Sequence, residues 1–126
     1  MLPWVLVLSL LVVPLPDLPS LPSGSEIRVA STDMRVVYLA LRVEGDRLVA
    51  VGEPKSPPAG EQVAVVVRYR RKVFYYPGQV APGDVVLFLP QGRASLRRIL
   101  LEVYRLKLGE KAARLWEVWG GPGPDR

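Results

Sequence analysis

Neither histidine nor cysteine occurs in the 126-residue chain. Without histidine the commonest general base and metal ligand are missing, and with them every Ser-His or Cys-His nucleophilic arrangement. Without cysteine there is no disulfide framework, no thiolate chemistry and no Cys-based metal site, so stability has to come from packing. Lysine and arginine are absent from the first 24 residues as well, a stretch that is instead apolar from Trp4 to Val13 and then punctuated by proline.

That opening reads as an address rather than a fold. Ten helical residues cover only roughly half of a ~30 Å hydrocarbon core, a length that suits the apolar region of a signal peptide better than a membrane span. Pro14, Pro16 and Asp17 end the run, and Ser23-Gly24-Ser25 offers small residues for cleavage just before Glu26. The missing basic residues ahead of Trp4 keep two alternatives open: an uncleaved anchor, and a buried N-terminal strand followed by a proline-rich linker. The expected organisation is an apolar leader and linker over 1–25, a single β-rich domain with a helical end over 26–119, and a disordered tail over 120–126. The expected location is exported or membrane-anchored, on the extracytoplasmic side.

Hydrophobic residues make up 49% and charged residues 23%, values of an ordinary globular domain. The formal net charge of +5 becomes +6 if Asp17 is removed with the leader. Such a surface attracts anionic partners, whether nucleic acid, anionic lipid, acidic polysaccharide or an acidic protein.

From Glu26 to Pro90 the hydrophobic period is two, the signature of strands. Strands are expected at Glu26 to Val29, Met34 to Val43, Arg47 to Val51, Val63 to Tyr76 and Val85 to Leu89. Glu44-Gly45-Asp46 supplies a tight hairpin turn, and Gly52 to Gln62, with its prolines, an exposed loop. In the long run from Val63 to Tyr76, Arg71 interrupts the apolar face, so a bulge or turn is expected near Arg70 to Lys72. Alternation carried straight through that region buries Tyr69, Val73 and Tyr75. It leaves Tyr76 with the basic residues. Pro77-Gly78 and Pro82-Gly83-Asp84 are turn signals.

After Gly92 the period changes. Ser95 is a candidate N-cap for a helix burying Leu96, Ile99, Leu100, Val103 and Leu106, with Gly109 as its stop. Glu110 to Trp119 follows as a second helix burying Ala112, Leu115, Trp116 and Trp119, or as a strand paired with Leu106 and Leu108. The expected class is therefore α+β, mainly β: a small antiparallel sandwich or partly open barrel followed by one or two C-terminal helices.

Two basic clusters are candidate anion- or partner-binding sites. Arg68, Arg70 and Lys72 with Tyr76 combine cations with aromatic rings, as single-strand-binding sheets do, although the same residues also guard an edge strand against aggregation. Arg93, Arg97 and Arg98 flank the start of a helix, where free N–H groups favour an anion unless a salt bridge to Asp84 or Glu102 satisfies them. No constellation for catalysis, cofactor or metal stands out. The expectation is a non-enzymatic structural or protein-interaction module of an envelope, surface or membrane-associated assembly, with a protein partner or a second copy of the chain. The alternative is a domain binding polyanions or single-stranded nucleic acid through the basic aromatic strand face.

Overall fold

In a computed structural model the structure describes residues 21–90 and 92–119. The expected leader up to residue 20 and the tail from residue 120 lie outside the described residues. Eight strands form one sheet: β1 (Glu26–Ser31), β2 (Val37–Glu44), β3 (Arg47–Ala50), β4 (Gln62–Tyr69), β5 (Lys72–Ala81), β6 (Asp84–Leu89), β7 (Gly92–Ser95) and β8 (Lys107–Leu108). Their spatial order is β7-β6-β5-β4-β1-β2-β3-β8, and the two ends do not pair with each other. Every pairing is antiparallel except β3 with β8. The fold is thus mainly β, a partly open sandwich closed on its inner side by two short C-terminal helices.

The centre belongs to β1 and β4, not to β6, whose unbroken apolar run reflects its place between β5 and β7. Ile27, Val29, Val63, Val65 and Val67 are fully buried, and β-branched side chains of this kind pack well on a pleated surface. Each such valine or isoleucine contributes about 1.5–3 kcal/mol through burial.

Three two-residue turns set the registers. Gly45-Asp46 joins β2 to β3, with Gly45 at φ 67, as the acidic-glycine signal predicts. Pro82-Gly83 joins β5 to β6, with Gly83 at φ 65, the left-handed geometry that the second central residue of a Pro-Gly turn requires. Arg70-Arg71 joins β4 to β5, and here a non-glycine residue, Arg70, takes φ 57. Pro77-Gly78, by contrast, is no turn. It lies inside β5, where Pro77 faces the β6 side just beyond the last paired residue, Gly78, and no ladder amide is needed. Gly78 serves close packing: a Cβ there would sit 2.9 Å from Val85 Cγ1.

Leu21 to Ser25, read from the sequence as linker, are packed. Leu21 is 4% exposed and belongs to the hydrophobic core. The Gly24 N–H donates to Val43 O (2.7 Å), the Val43 N–H donates to Ser25 O (2.8 Å), and the Gly45 N–H donates to Ser23 Oγ (3.1 Å). The packed body therefore reaches at least five residues ahead of Glu26.

The expected long helix is interrupted. Ser95 caps α1 (Leu96–Arg98) by accepting from the Arg98 N–H (3.0 Å), but the chain passes at once into a π-helical segment, Ile99–Val103. The Tyr104 N–H then bonds Ile99 O (2.9 Å), and Arg105 reverses the chain at φ 59. The wider π turn rotates Val103 outward, leaving it 49% exposed, while Ile99, Leu100 and Tyr104 stay buried. Lys107 and Leu108 leave the helix and pair alongside Arg47 and Leu48. Gly109 is accordingly the N-cap of α2 (Glu110–Val118), not the end of the preceding helix. Ala112, Trp116 and Trp119 are buried against the sheet, Leu115 is half-buried, and Glu110 pairs with Arg114 at 3.5 Å. Trp119 Nε1 donates to Lys55 O (2.9 Å), and its carbonyl accepts from the Gly83 N–H (2.7 Å), tying α2 to the β5–β6 turn.

Candidate interaction surface

The two-residue turn at Arg70-Arg71 decides which side chains reach solvent. Paired residues of an antiparallel ladder share a face, and the pairs here are Tyr69 with Lys72, Arg68 with Val73, Val67 with Phe74, Val66 with Tyr75 and Val65 with Tyr76. The odd-numbered residues of β4 thus lie with the even-numbered residues of β5. Phe74 and Tyr76 turn inward and pack against the core, whereas Val73 and Tyr75 turn outward and are 61% and 55% exposed. This corrects the expectation that Val73 and Tyr75 are buried and that Tyr76 accompanies the cations. Straight alternation fails because the turn removes two residues from the pleat without preserving its phase.

The outward face beside Val73 is built by β4 and β1. Glu26 pairs with Arg68, and Arg28 with Val66. Together Glu26, Arg28, Val66, Arg68 and Val73 line a shallow groove of about 200 Å³. Arg28 reaches Glu26 at 3.4 Å, and Arg68 has no carboxylate partner among the described residues. The Arg70 guanidinium lies 5.2 Å from the centre of the Tyr69 ring and covers it. Of the four aromatic rings in the hairpin, Tyr75 alone is exposed.

Beside this face runs an open edge. A two-residue turn closes on a hydrogen-bonded pair, here Tyr69 and Lys72, so Phe74 and Tyr76 direct their backbone groups at β4 while Val73 and Tyr75 direct theirs away. β6 pairs only with Gly78 to Ala81. The backbone groups of Val73 and Tyr75 on that side have no ladder partner among the described residues.

The second basic cluster is arranged differently. Asp84, at the start of β6, accepts from the Arg97 N–H (2.9 Å) and the Val85 N–H (2.7 Å), and takes a short hydrogen bond from Ser95 Oγ. A carboxylate of the chain itself therefore occupies the amides at the start of α1. Arg98 pairs with Glu102 at 3.4 Å, and the Arg93 guanidinium lies 5.5 Å from the centre of the Phe88 ring. Arg97 and Arg98 lie beside Asp84, which pairs with Ala81 at one end of β5. Arg68, Arg70 and Lys72 lie at the other, roughly 30 Å away at ~3.3 Å per residue. The structure does not bring the two clusters together.

Sequence reasoning passed over Arg28, Val73 and Tyr75. The signal that finds them is the pair Arg70-Arg71, which, read as a two-residue turn, inverts the face of everything after it. Among the described residues no group of three or more acidic side chains is placed to hold a metal ion, and no helix is long and apolar enough to cross a membrane. Comparison of the chain with protein-family models, with curated proteins and with solved structures returns no match.

Proposed function

We propose that the protein is a non-enzymatic interaction module of an envelope or membrane-associated assembly, and that it recognises an extended, acidic segment of a protein partner along β5. The carrying observation is the coincidence of an unpaired strand edge with an exposed apolar pair, Val73 and Tyr75, flanked by Arg28 and Arg68. An added strand takes its affinity from main-chain hydrogen bonds and its specificity from alternate side chains. Here the backbone of Val73 and Tyr75 supplies the first, and the apolar pair with its neighbouring guanidiniums the second. Acidic side chains on the incoming strand complement Arg68 and the basic turn Arg70-Arg71-Lys72.

The alternative, a polyanion or single-stranded nucleic acid, draws on the same cations. Stacking platforms, however, use successive exposed rings. This hairpin offers Tyr75 only, because Tyr69 is covered by Arg70 and the rings of Phe74 and Tyr76 face inward.

Photo-crosslinking separates the two readings. A benzophenone side chain at Tyr75, in the full chain and its native source, is expected to capture a protein, and the mapped attachment to fall in an acidic stretch; the same probe at the exposed Val118 serves as control. Attachment to nucleic acid, or equal capture from both positions, overturns the proposal.

A further inference from the structure

The strand that β5 can accept is not open at both ends. β6 occupies the same side of β5 from Gly78 to Ala81, so a strand added alongside Val73 and Tyr75 lies in line with β6 and runs into it. Continuing the register one pair beyond Gly78 and Leu87 sets Phe88 opposite Pro77, whose missing N–H stops the ladder there. Tyr75 is two residues from that stop, ~7 Å at ~3.3 Å per residue.

The stop carries a cation. Phe88 pairs with Arg93 of β7, so the two share a face, and the Arg93 guanidinium lies 5.5 Å from the centre of the Phe88 ring. That face is the outward one. Val85 and Leu87 are buried, which puts Phe88 on the opposite side, with Val73, Tyr75 and Pro77. Arg93 is exposed and has no carboxylate partner among the described residues, whereas Arg98 has Glu102. An unneutralised guanidinium thus stands over the line of the added strand, at the end where β6 blocks it.

The sign of that charge selects which chain end fits. An incoming segment that runs parallel to β5 brings its C-terminal end to Phe88, and one that runs antiparallel brings its N-terminal end. A terminal ammonium is repelled by Arg93. A terminal carboxylate accepts the paired N–H donors of the guanidinium, in place of the donor that Pro77 lacks.

We infer that the segment bound along β5 is the C-terminal end of a partner protein, aligned parallel to β5, with its free α-carboxylate held by Arg93. The inference rests on the β5 reading above and adds to it the polarity of the segment and the chemistry of its last residue.

The probe is a library of short random peptides displayed with free C-termini, from which the selected peptides are resynthesised as C-terminal acids and as amides. The full chain is expected to bind the acids roughly 10- to 100-fold more tightly than the amides. Arg93→Gln is expected to lose that preference and bind both forms as the parent binds the amide, whereas Arg97→Gln keeps it. Val73→Pro removes an edge N–H at a position where the sheet tolerates proline, and is expected to weaken acid and amide alike. Equal affinity of the parent for the two forms, or an acid preference that survives in Arg93→Gln, overturns the inference. If Val73→Pro still weakens binding in that case, the β5 reading stands without it. Selected peptides indifferent to Val73→Pro, or a library that yields no binder, overturn both.

Discussion

Removing residues 1–25 tests how far the packed body extends. A chain beginning at Glu26 loses Leu21, which is 4% exposed and whose burial contributes about 1.5–3 kcal/mol. It also strips Val43, itself fully buried, of the acceptor Ser25 O and of the donor Gly24 N–H. Leaving such backbone groups without partners costs about 1–3 kcal/mol, toward the lower figure where the cut admits water. The expected loss is about 3–6 kcal/mol, a large part of the ~5–15 kcal/mol that holds a domain folded. Urea unfolding followed by circular dichroism should compare a chain beginning at Leu21 with one beginning at Glu26. The chain beginning at Glu26 should have its midpoint lowered by roughly 2 M or more, with little change in slope. Two substitutions in the full chain divide the effect: Leu21→Ala is expected to cost about 2–4 kcal/mol and Ser23→Ala about 1 kcal/mol. Superimposable unfolding curves for the two truncations would refute the reasoning.

Three further outcomes follow from local geometry. Trp119→Phe should destabilise more than Trp116→Phe by about 1–2 kcal/mol, because Trp119 Nε1 donates to Lys55 O whereas Trp116 Nε1 has no partner among the described residues; equal unfolding midpoints would contradict this. Gly78→Ala forces a Cβ against Val85 Cγ1 at 2.9 Å and Val86 O at 3.0 Å, an overpacking expected to cost about 1–3 kcal/mol in urea titrations, and a variant as stable as the parent would disprove that close approach. The hydroxyl of Ser31, and after it the amide of Arg35, hold the Asp33 carboxyl below its ordinary value of 3.8. The stability it adds is therefore present above that value and lost as pH falls through the lowered one, so Asp33→Asn should be less stable than the parent at neutral pH and converge with it below about pH 4, which flattens the acid limb of the stability profile.

Legibility followed chemistry that is local in sequence. Gly45-Asp46 and Pro82-Gly83 announce their turns because glycine alone takes left-handed φ without a steric cost, and Ser95 announces its cap because its hydroxyl reaches an amide three residues on. Arg70-Arg71 signals a bulge or turn by interrupting the apolar face, and the structure places a turn there, but without glycine its type is not announced. Its left-handed arginine is held by the ladder on either side, so the face inversion of β5, and with it the true outward pair Val73 and Tyr75, follows from register rather than composition. The segment from Leu96 to Leu108 has helical periodicity throughout, yet pairing of Lys107 and Leu108 with β3 prevails over its last turns. The charges of the candidate surface were visible from the start. Their neighbours were not, because opposition across strands depends on which residue pairs with which.

The places where the described chain begins and ends give the molecule a further property. Ser23 and Gly24 are bonded beside the β2–β3 turn, and Trp119 finishes at Gly83, beyond the opposite end of a ten-residue strand. The described chain therefore enters and leaves the sheet at opposite ends. Whatever holds its N-terminus, a segment joined after Trp119 departs from a point roughly 30 Å further out, the length of β5 at ~3.3 Å per residue.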